Sequence, residues 1–370
     1  MQVLTSMPAF AEDPVQLDLT HKVDVVGVGS ADRGEQIYYL DNLDLTGTAE
    51  LEPLIGWTGG TLHVHLLNNL GGQPNNRAAT LQGVNNIEVE SHRFRLFEAW
   101  FEQKLGEHTS VRAGLYDLNS EFYQNDASGL LIAPAFGVGS EIAATGPNGP
   151  SIFPSTALAV RIDQRVGETG FARAAVLNAS AGTLGDPHGV NLTFDDGALL
   201  IGEVGVEKEG RGRIALGMWT YTLGQEDVRA TDASGAPRSR SAHGAYLTVE
   251  APLAEALSGF VRVGISDGHT TPFHGGWQAG VLLSPAVTGR PDSQFSLGVN
   301  QAYLAADWRK NLRDERVDPA HAESALEITY SDRLSSHVTI QPDLQLVLDA
   351  DGDRGREPVV VAGLRAKIEI

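Results

Sequence analysis

From end to end the chain repeats one pattern. Short segments in which apolar and polar residues alternate are joined, in turn, by a tight turn and a long loop. Leu62, Val64 and Leu66 enclose His63 and His65, and Leu158, Val160 and Ile162 enclose Ala159 and Arg161. Val261, Val263 and Ile265 flank Arg262, while Leu326, Ile328 and Tyr330 enclose Glu327 and Thr329. The last eight residues, GLRAKIEI, set Leu364, Ala366, Ile368 and Ile370 against Arg365, Lys367 and Glu369. A period of two puts successive side chains on opposite faces of a strand, so each segment carries one apolar and one polar face. Helical periodicity is nearly absent; PLAEALS, 252–258, is the best helix candidate, at one or two turns.

The pattern predicts about 16 strands. Their approximate spans are 20–28, 37–50, 61–69, 93–104, 110–117, 156–165, 171–178, 198–207, 212–222, 243–251, 259–266, 275–284, 294–301, 324–331, 336–348 and 358–370. The connections at 105–109, 166–170, 208–211 and 332–335 are tight. Those at 70–92, 118–155, 179–197, 223–242 and 302–323 are long and rich in Gly, Pro, Asn and Asp. With few exceptions even-numbered strands lead into tight turns and odd-numbered strands into long loops. A soluble sandwich has no reason to sort its loops by length onto one end. A barrel crossing an outer membrane does, with short periplasmic turns and long external loops.

The predicted fold is therefore all-β: a transmembrane antiparallel β-barrel of about 16 strands. In hydrocarbon every backbone N–H and C=O must be paired internally, and a closed barrel leaves no edge. Both chain ends then lie in the periplasm and the long loops outside. Leu364, Ala366, Ile368 and Ile370 face lipid, while Arg365, Lys367 and Glu369 line a pore. A barrel of this width holds an aqueous channel.

Composition agrees. No stretch approaches 18 consecutive apolar residues, so no transmembrane helix is predicted. A mean hydropathy of −0.14 fits a barrel, because only alternate residues touch lipid. The chain has no Cys, which excludes disulfides and thiolate metal sites, and a formal net charge of −20, which argues against nucleic-acid binding. Ala9-Phe10-Ala11 has the form of a signal-peptidase site. Residues 1–11 are accordingly read as the stub of an export signal, or a disordered start, and 12–370 as a single outer-membrane barrel domain.

Several motifs resemble the carbohydrate-selective porins of the OprB type. GWTGGTLHVHLLNNLGG, 56–72, is similar to that family's early G-W-x-G-G strand and loop. FEAWFEQKLGEHTSVRAGLYDLNSEFYQND, 97–126, resembles its E-x-W-x-x-Q run, followed by L-x-R-x-G and D-x-x-x-E-F. SGLLIAPAFG, 128–137, and GPSIFPSTALAVRI, 149–162, follow in the expected order, and LEITYSDRLSSHVTIQPDLQLVL, 326–348, resembles the late L-Q-P-D-L-Q segment. The matches run from about residue 37 to 370. Ala159, Leu346 and the terminal Ile370 depart from the pattern, which more often has Gly and two aromatics there.

The resemblance implies that the longest loop, about 118–155, folds inward as a constriction loop. The strands beside it supply the expected pore lining: Glu98, Trp100, Arg112, Tyr116, Arg161, Asp163, Arg165 and Glu203, with Arg173 nearby. Strand parity places Glu98, Trp100, Glu102 and Lys104 on one face and Phe97, Ala99 and Phe101 on the other. Arg93 and Arg95 share the parity of Phe97 and are expected at the outer rim. Guanidinium and carboxylate groups form charge-assisted hydrogen bonds with hydroxyls, and a pyranose C–H face can lie on Trp100. His63 and His65 are expected in the lumen. DADGDRG, 349–355, starts like a calcium loop but has Arg354 at its sixth position, so it reads as a solvated external turn. Pro342 inside a strand predicts a bulge.

These readings lead to a passive outer-membrane channel of a Gram-negative cell, selective for neutral, monosaccharide-sized carbohydrates, with no catalytic residues, cofactor or metal. Its expected partners are small carbohydrates, outer-membrane lipid and lipopolysaccharide, with no nucleic acid, and its expected state is a monomer or homotrimer. The alternatives are a barrel for polysaccharide export or adhesion, or a barrel hydrolase built on residues such as Ser151, His188 and His243.

Overall fold

The computed structural model describes residues 13–370, so the expected export stub at 1–11 lies outside the described residues. Sixteen strands close into one antiparallel ring. They are β1 (Val15–Ser30), β2 (Gly34–Glu50), β3 (Gly60–Gly71), β4 (Arg93–Lys104), β5 (Thr109–Tyr116), β6 (Ala157–Val166), β7 (Gly170–Asn178), β8 (Ala198–Lys208), β9 (Gly212–Tyr221), β12 (His243–Ala254), β13 (Leu257–Ser266), β14 (Phe273–Leu283), β15 (Gln294–Leu304), β16 (Ala322–Arg333), β17 (Val338–Leu348) and β18 (Val359–Glu369). A separate hairpin, β10 (Gln225–Thr231) and β11 (Pro237–Arg240), stands in the loop between β9 and β12. The ring closes where β1 pairs with β18, from Thr20 opposite Glu369 to Gly29 opposite Val360.

Each expected strand is present with shifted ends. The seven-residue helix candidate at 252–258 is not a helix. Pro252–Ala254 ends β12, Leu257 opens β13, and Ala254 pairs with Leu257 across a two-residue turn. An isolated stretch this short cannot sustain a helix, and the ladder on its flanks takes it instead. The helices lie in connections: α1 (Leu51–Ile55), α2 (Asn75–Ala78), α3 (Ser140–Ala143) and α4 (Ala306–Asp314).

Burial is inverted relative to a soluble domain. Exposed apolar side chains recur at every second position of the wall, as at Ile214, Leu216 and Met218, Val261, Val263 and Ile265, and Leu344, Leu346 and Leu348. Buried positions between them include Arg262, Gln341, Asp343, Gln345 and Glu327. Monomers in water rarely expose so continuous an apolar band; a barrel in lipid requires it. In the last strand, Leu364 and Ile368 are exposed and Arg365 is buried, as the alternation predicts.

Two local expectations are corrected. The β3–β4 register shifts by one residue between His65 opposite Glu98 and Leu66 opposite Leu96, leaving Phe97 as the extra residue of a bulge. Phe97 therefore turns inward beside Glu98: it is buried and stands edge-on to His65 at 5.1 Å. The same bulge turns Arg95 inward at the rim, where its Nε donates to Asp186 at 2.8 Å. Pro342 makes no bulge. The register of β17 with β18 runs unbroken through Pro342 opposite Leu364; the missing N–H falls on the β16 side, where the ladder skips from Thr329 opposite Asp343 to Asp332 opposite Ile340 without a shift.

Short connections gather at one end, at 105–108, 167–169, 209–211, 255–256 and 334–337, and long ones mostly at the other. The exceptions are the tight turn at 31–33 among the long loops and the longer links at 51–59 and 284–293 among the turns. The two ends are called the loop end and the turn end below.

Candidate functional site

The connection from β5 to β6 folds into the barrel and crosses it. Irregular backbone inside a barrel must find partners for its N–H and C=O groups, and polar side chains of the wall supply them. Carboxylates accept from the loop's N–H groups: Glu98 from Asp117 at 3.0 Å, Glu203 from Tyr123 at 3.2 Å, Glu250 from Asp126 at 2.6 Å and Glu327 from Ala133 at 2.9 Å. Cations and amides donate to its carbonyls: Arg173 to Glu121 at 2.6 Å, Arg262 to Gly137 at 2.9 Å and Gln341 to Leu130 at 2.6 Å. These groups come from β4, β7, β8, β12, β13, β16 and β17, so the loop spans the lumen from one wall to the other. Wall glycines make the room: a β-carbon on Gly298 would press on Leu131 and Phe136 of the loop.

A second loop, 72–92, also turns inward, which the alternation pattern did not reveal. Glu323 accepts from the N–H groups of Leu81 at 2.8 Å and Gln82 at 3.0 Å. Asn85 donates to Asp24 at 2.6 Å, Gln345 to the Val84 carbonyl at 2.9 Å, and Arg365 to Asn86 at 2.8 Å. The two loops meet where Asn86 N–H donates to the Ile132 carbonyl at 3.0 Å. Arg365 is thus committed to Asp24, at 2.7 and 2.8 Å, and to Asn86, and does not stand free in water.

The expected lining residues assemble around one loop carboxylate, Glu121. Arg161 Nη2 and Nε each donate to it at 2.7 Å, and Tyr116 Oη donates to it at 2.5 Å. Arg161 also reaches Glu102 and Ser110, both at 2.7 Å, and Arg112 pairs with Glu102 at 3.0 Å and lies 3.8 Å from Glu121. Burial acts to raise the Glu121 carboxyl, but the guanidinium groups of Arg112 and Arg161 outweigh it and hold the group below the usual glutamate range. Asp163 pairs with Arg173 at 3.2 Å. Arg165 is exposed and lines a cavity of about 850 Å³ at the turn end.

The structure divides the expected set by role. Glu98, Tyr116, Arg161 and Glu203 are buried, and each is committed to the loop or its supports; Glu203 also pairs with Arg213 at 2.5 Å and accepts from Tyr246 at 2.8 Å. Arg112 and Asp163 keep partial access to the lumen. Trp100 differs most from expectation. His63 stacks on it at 4.7 Å with an interplanar angle of 17°, and the Arg112 guanidinium lies 3.7 Å from its ring centroid. These partners come from the strands on either side of β4, so both ring faces are covered and no open plate is left for a sugar.

Sequence reasoning passed over Glu121 and a second polar cluster on β1–β3. There Asp44 accepts from His65 at 2.9 Å, from Lys22 at 3.3 Å and from Asn42 at 2.5 Å. The polar parity of those strands carries that signal, but it does not rank one lumen residue above another. Among the described residues no group of three or more His, Asp or Glu side chains is arranged to hold a metal ion. Just after DADGDRG, Arg356 reaches back into it: its Nη2 donates to Asp351 at 2.7 Å and its Nε lies 4.0 Å from Asp353, placing a guanidinium between the carboxylates. Ser151 Oγ donates to the Tyr116 carbonyl and accepts from Ala157 N–H, both at 2.6 Å, and His243 faces the Ser241 carbonyl.

The family profile described as carbohydrate-selective porin, OprB family, matches residues 34–370. Among solved structures, Pseudomonas putida OprB at high pH is 20% identical, with 96% of this chain and 94% of that one covered and a TM-score of 0.84. The outer membrane channel DcaP of Acinetobacter baumannii is 11% identical over 96% of this chain and 97% of that one, at a TM-score of 0.58. A mutant of the Rh. blastica porin is 12% identical over 96% and 100%, at 0.54. No curated protein sequence matches the chain.

Proposed function

Because the chain belongs to the carbohydrate-selective porins of the OprB family, we propose that it is a passive channel of the Gram-negative outer membrane for neutral, monosaccharide-sized sugars. Family and barrel together point to a channel rather than an enzyme. The observation that carries the reading is the loop 117–156, laid across the lumen and held by charged wall residues, with the Glu121–Arg112–Arg161–Glu102 cluster at its root. Such a loop narrows a wide barrel to molecular width while the surrounding wall stays wet. Solutes move down their own gradient, so no cofactor or energy source enters.

In this reading the lumen-facing members of the expected set, Arg112, Asp163 and Arg165, with Glu102 and Glu121, form the wall that a solute touches. Glu98, Tyr116, Arg161 and Glu203 hold the loop in position, and Trp100 contributes only an edge. The long loops face the cell exterior and the short turns the periplasm, and the apolar band meets lipid, with lipopolysaccharide in the outer leaflet. Weak contacts suit the task, since a solute held tightly would not leave.

Swelling of liposomes containing the purified protein tests this. Glucose should enter faster than into protein-free liposomes; equal rates would overturn the channel reading.

A further inference from the structure

The outward, apolar face of the wall is interrupted on β2 and β3 by two polar side chains. Asp41 shares the outward face of β2 with Tyr39, Leu43 and Leu45, and Asn68 shares that of β3 with Leu66 and Leu70. Across the ladder Val23 and Leu70 stand opposite Asp41, and Leu43 and Phe94 stand opposite Asn68. Both groups thus sit in apolar surroundings, where acyl chains supply no hydrogen bond and an unpaired polar group is costly.

On β14–β16 the outward polar groups close on one another. Trp277 Nε1 donates to Gln301 Oε1 at 3.2 Å, and Gln301 Nε2 donates to Ser324 Oγ at 2.9 Å. Asp41 and Asn68 are left open. Tyr39 Oη donates to Asp41 Oδ2 at 2.8 Å, which leaves Oδ1 as a spare acceptor, and the Asn68 amide makes no hydrogen bond among the described residues. Asp41 is 6% exposed, open enough for one hydrogen bond and too closed for a shell of water.

The ladder sets the two side by side. The row Ile368, His21, Leu43, Asn68, Phe94 runs from the turn end of β18 to the loop end of β4, so rows climb toward β4. At a strand tilt of about 40°, a row rises about 3 Å per strand crossed, and two residues along a strand change height by about 5 Å. Asp41 stands opposite Leu70, and Asn68 is two residues nearer the turn end than Leu70. Asp41 and Asn68 therefore lie within about 2 Å of one height and about 8 Å apart around the wall. Tyr39, Leu45, Leu70 and Phe94, all exposed, surround them.

Copies inserted the same way are related by rotation about the membrane normal, so their groups meet at equal height. A twofold axis between β2 and β3 brings the Asp41 of each copy to the partner subunit's Asn68. Spare acceptor then meets spare donor twice, and the apolar rim keeps lipid out. We propose that the outward face of β2–β3 is a twofold interface with a second copy of this chain, closed by paired Asp41–Asn68 hydrogen bonds. The interface does not bear on which solute passes, so the channel reading stands or falls apart from it.

Native mass spectrometry of the purified protein in lipid nanodiscs, together with thiol cross-linking, tests the assignment. The wild type should have the mass of two copies. The chain has no Cys, so introduced thiols report alone. Asp41→Cys and Asn68→Cys chains assembled together should cross-link on copper–phenanthroline oxidation, and Val261→Cys, on the opposite wall, should not. Asp41→Leu and Asn68→Leu should each raise the dissociation constant of the pair about tenfold or more, with heat-stability of the barrel unchanged or raised and conductance per barrel unchanged. Should Asp41→Leu fail to fold, Asn68→Leu decides alone. A one-copy or three-copy mass for the wild type, or pairs that persist undiminished in Asn68→Leu, would overturn the interface. So would a cross-link, in whole outer membranes, to a chain of another mass.

Discussion

Glu141 of α3 lies against Gly264 of β13, and a β-carbon at Gly264 would overlap the Glu141 carboxylate. Glu141 is fully buried and accepts a hydrogen bond from Tyr123 Oη at 2.5 Å. Gly276 of β14 flanks the same carboxyl, so two wall glycines make a notch that holds the middle of the loop. Gly264→Ala should therefore dislodge α3 without disturbing the barrel ladder. The expected result is raised and noisier single-channel conductance with unchanged heat-stability of the barrel. Glu141→Ala combined with Gly264→Ala should be quieter than Gly264→Ala alone.

The same contact has a pH dependence. Burial raises the Glu141 carboxyl, against the opposing influence of the Tyr123 hydroxyl and the Arg262 guanidinium. The seated loop therefore holds a proton that a released loop gives up, so seating is firmest in acid and weakens as pH rises. Asp117, raised from 3.8 to about 7 by burial and by Glu98, acts in the same direction over that window. Conductance noise should grow between about pH 5 and about pH 8. In the double variant Asp117→Asn, Glu141→Gln that growth should be smaller than in the wild type.

Arg161 is nearly fully buried and ties Glu121 and Glu102 to β6. Removing one partner of such a pair leaves an uncompensated buried charge, at a cost of about 3–5 kcal/mol. Arg161→Met should therefore unseat the root of the loop, and protease should cut near 118–125 in the variant and spare the wild type.

Trp100→Ala removes a ring whose faces are already taken by His63 and Arg112. The loss of the cation–π contact is about 0.5–2 kcal/mol and uncovers one face of the Arg112 guanidinium, which keeps its pair with Glu102. Ion selectivity should shift toward anions, while glucose block stays within about twofold. A large loss of block would return Trp100 to the sugar path.

How far the chain could be read depends on the range of the signal. Alternation is local, and it located all sixteen barrel strands because each face meets a different solvent along its whole length. The inward loop at 117–156 came through family likeness, and its anchors Glu98 and Glu203 lay on the predicted polar faces. The bulge at Phe97 was not readable, since nothing in FEAW announces an extra residue; only the register against β3 shows it. The cover on Trp100 was equally hidden. His63 and Arg112 sit on neighbouring strands far apart in sequence, and parity gives a side, not a neighbour. The inward turn of 72–92 depends on Glu323 and Gln345, which lie more than half the chain away.

The β1–β18 seam has a consequence for how the molecule is made. Thr20 and Glu369 are ladder partners although nearly the whole polypeptide separates them, and Asp24 and Arg365 rivet the same junction from within. Loop closure over such a span is slow, and until the final ribbon arrives both rims are bare templates for stray chains. Until closure both terminal ribbons therefore stay unpaired along one side, and a chain without either would be an open sheet with bare edges rather than a ring.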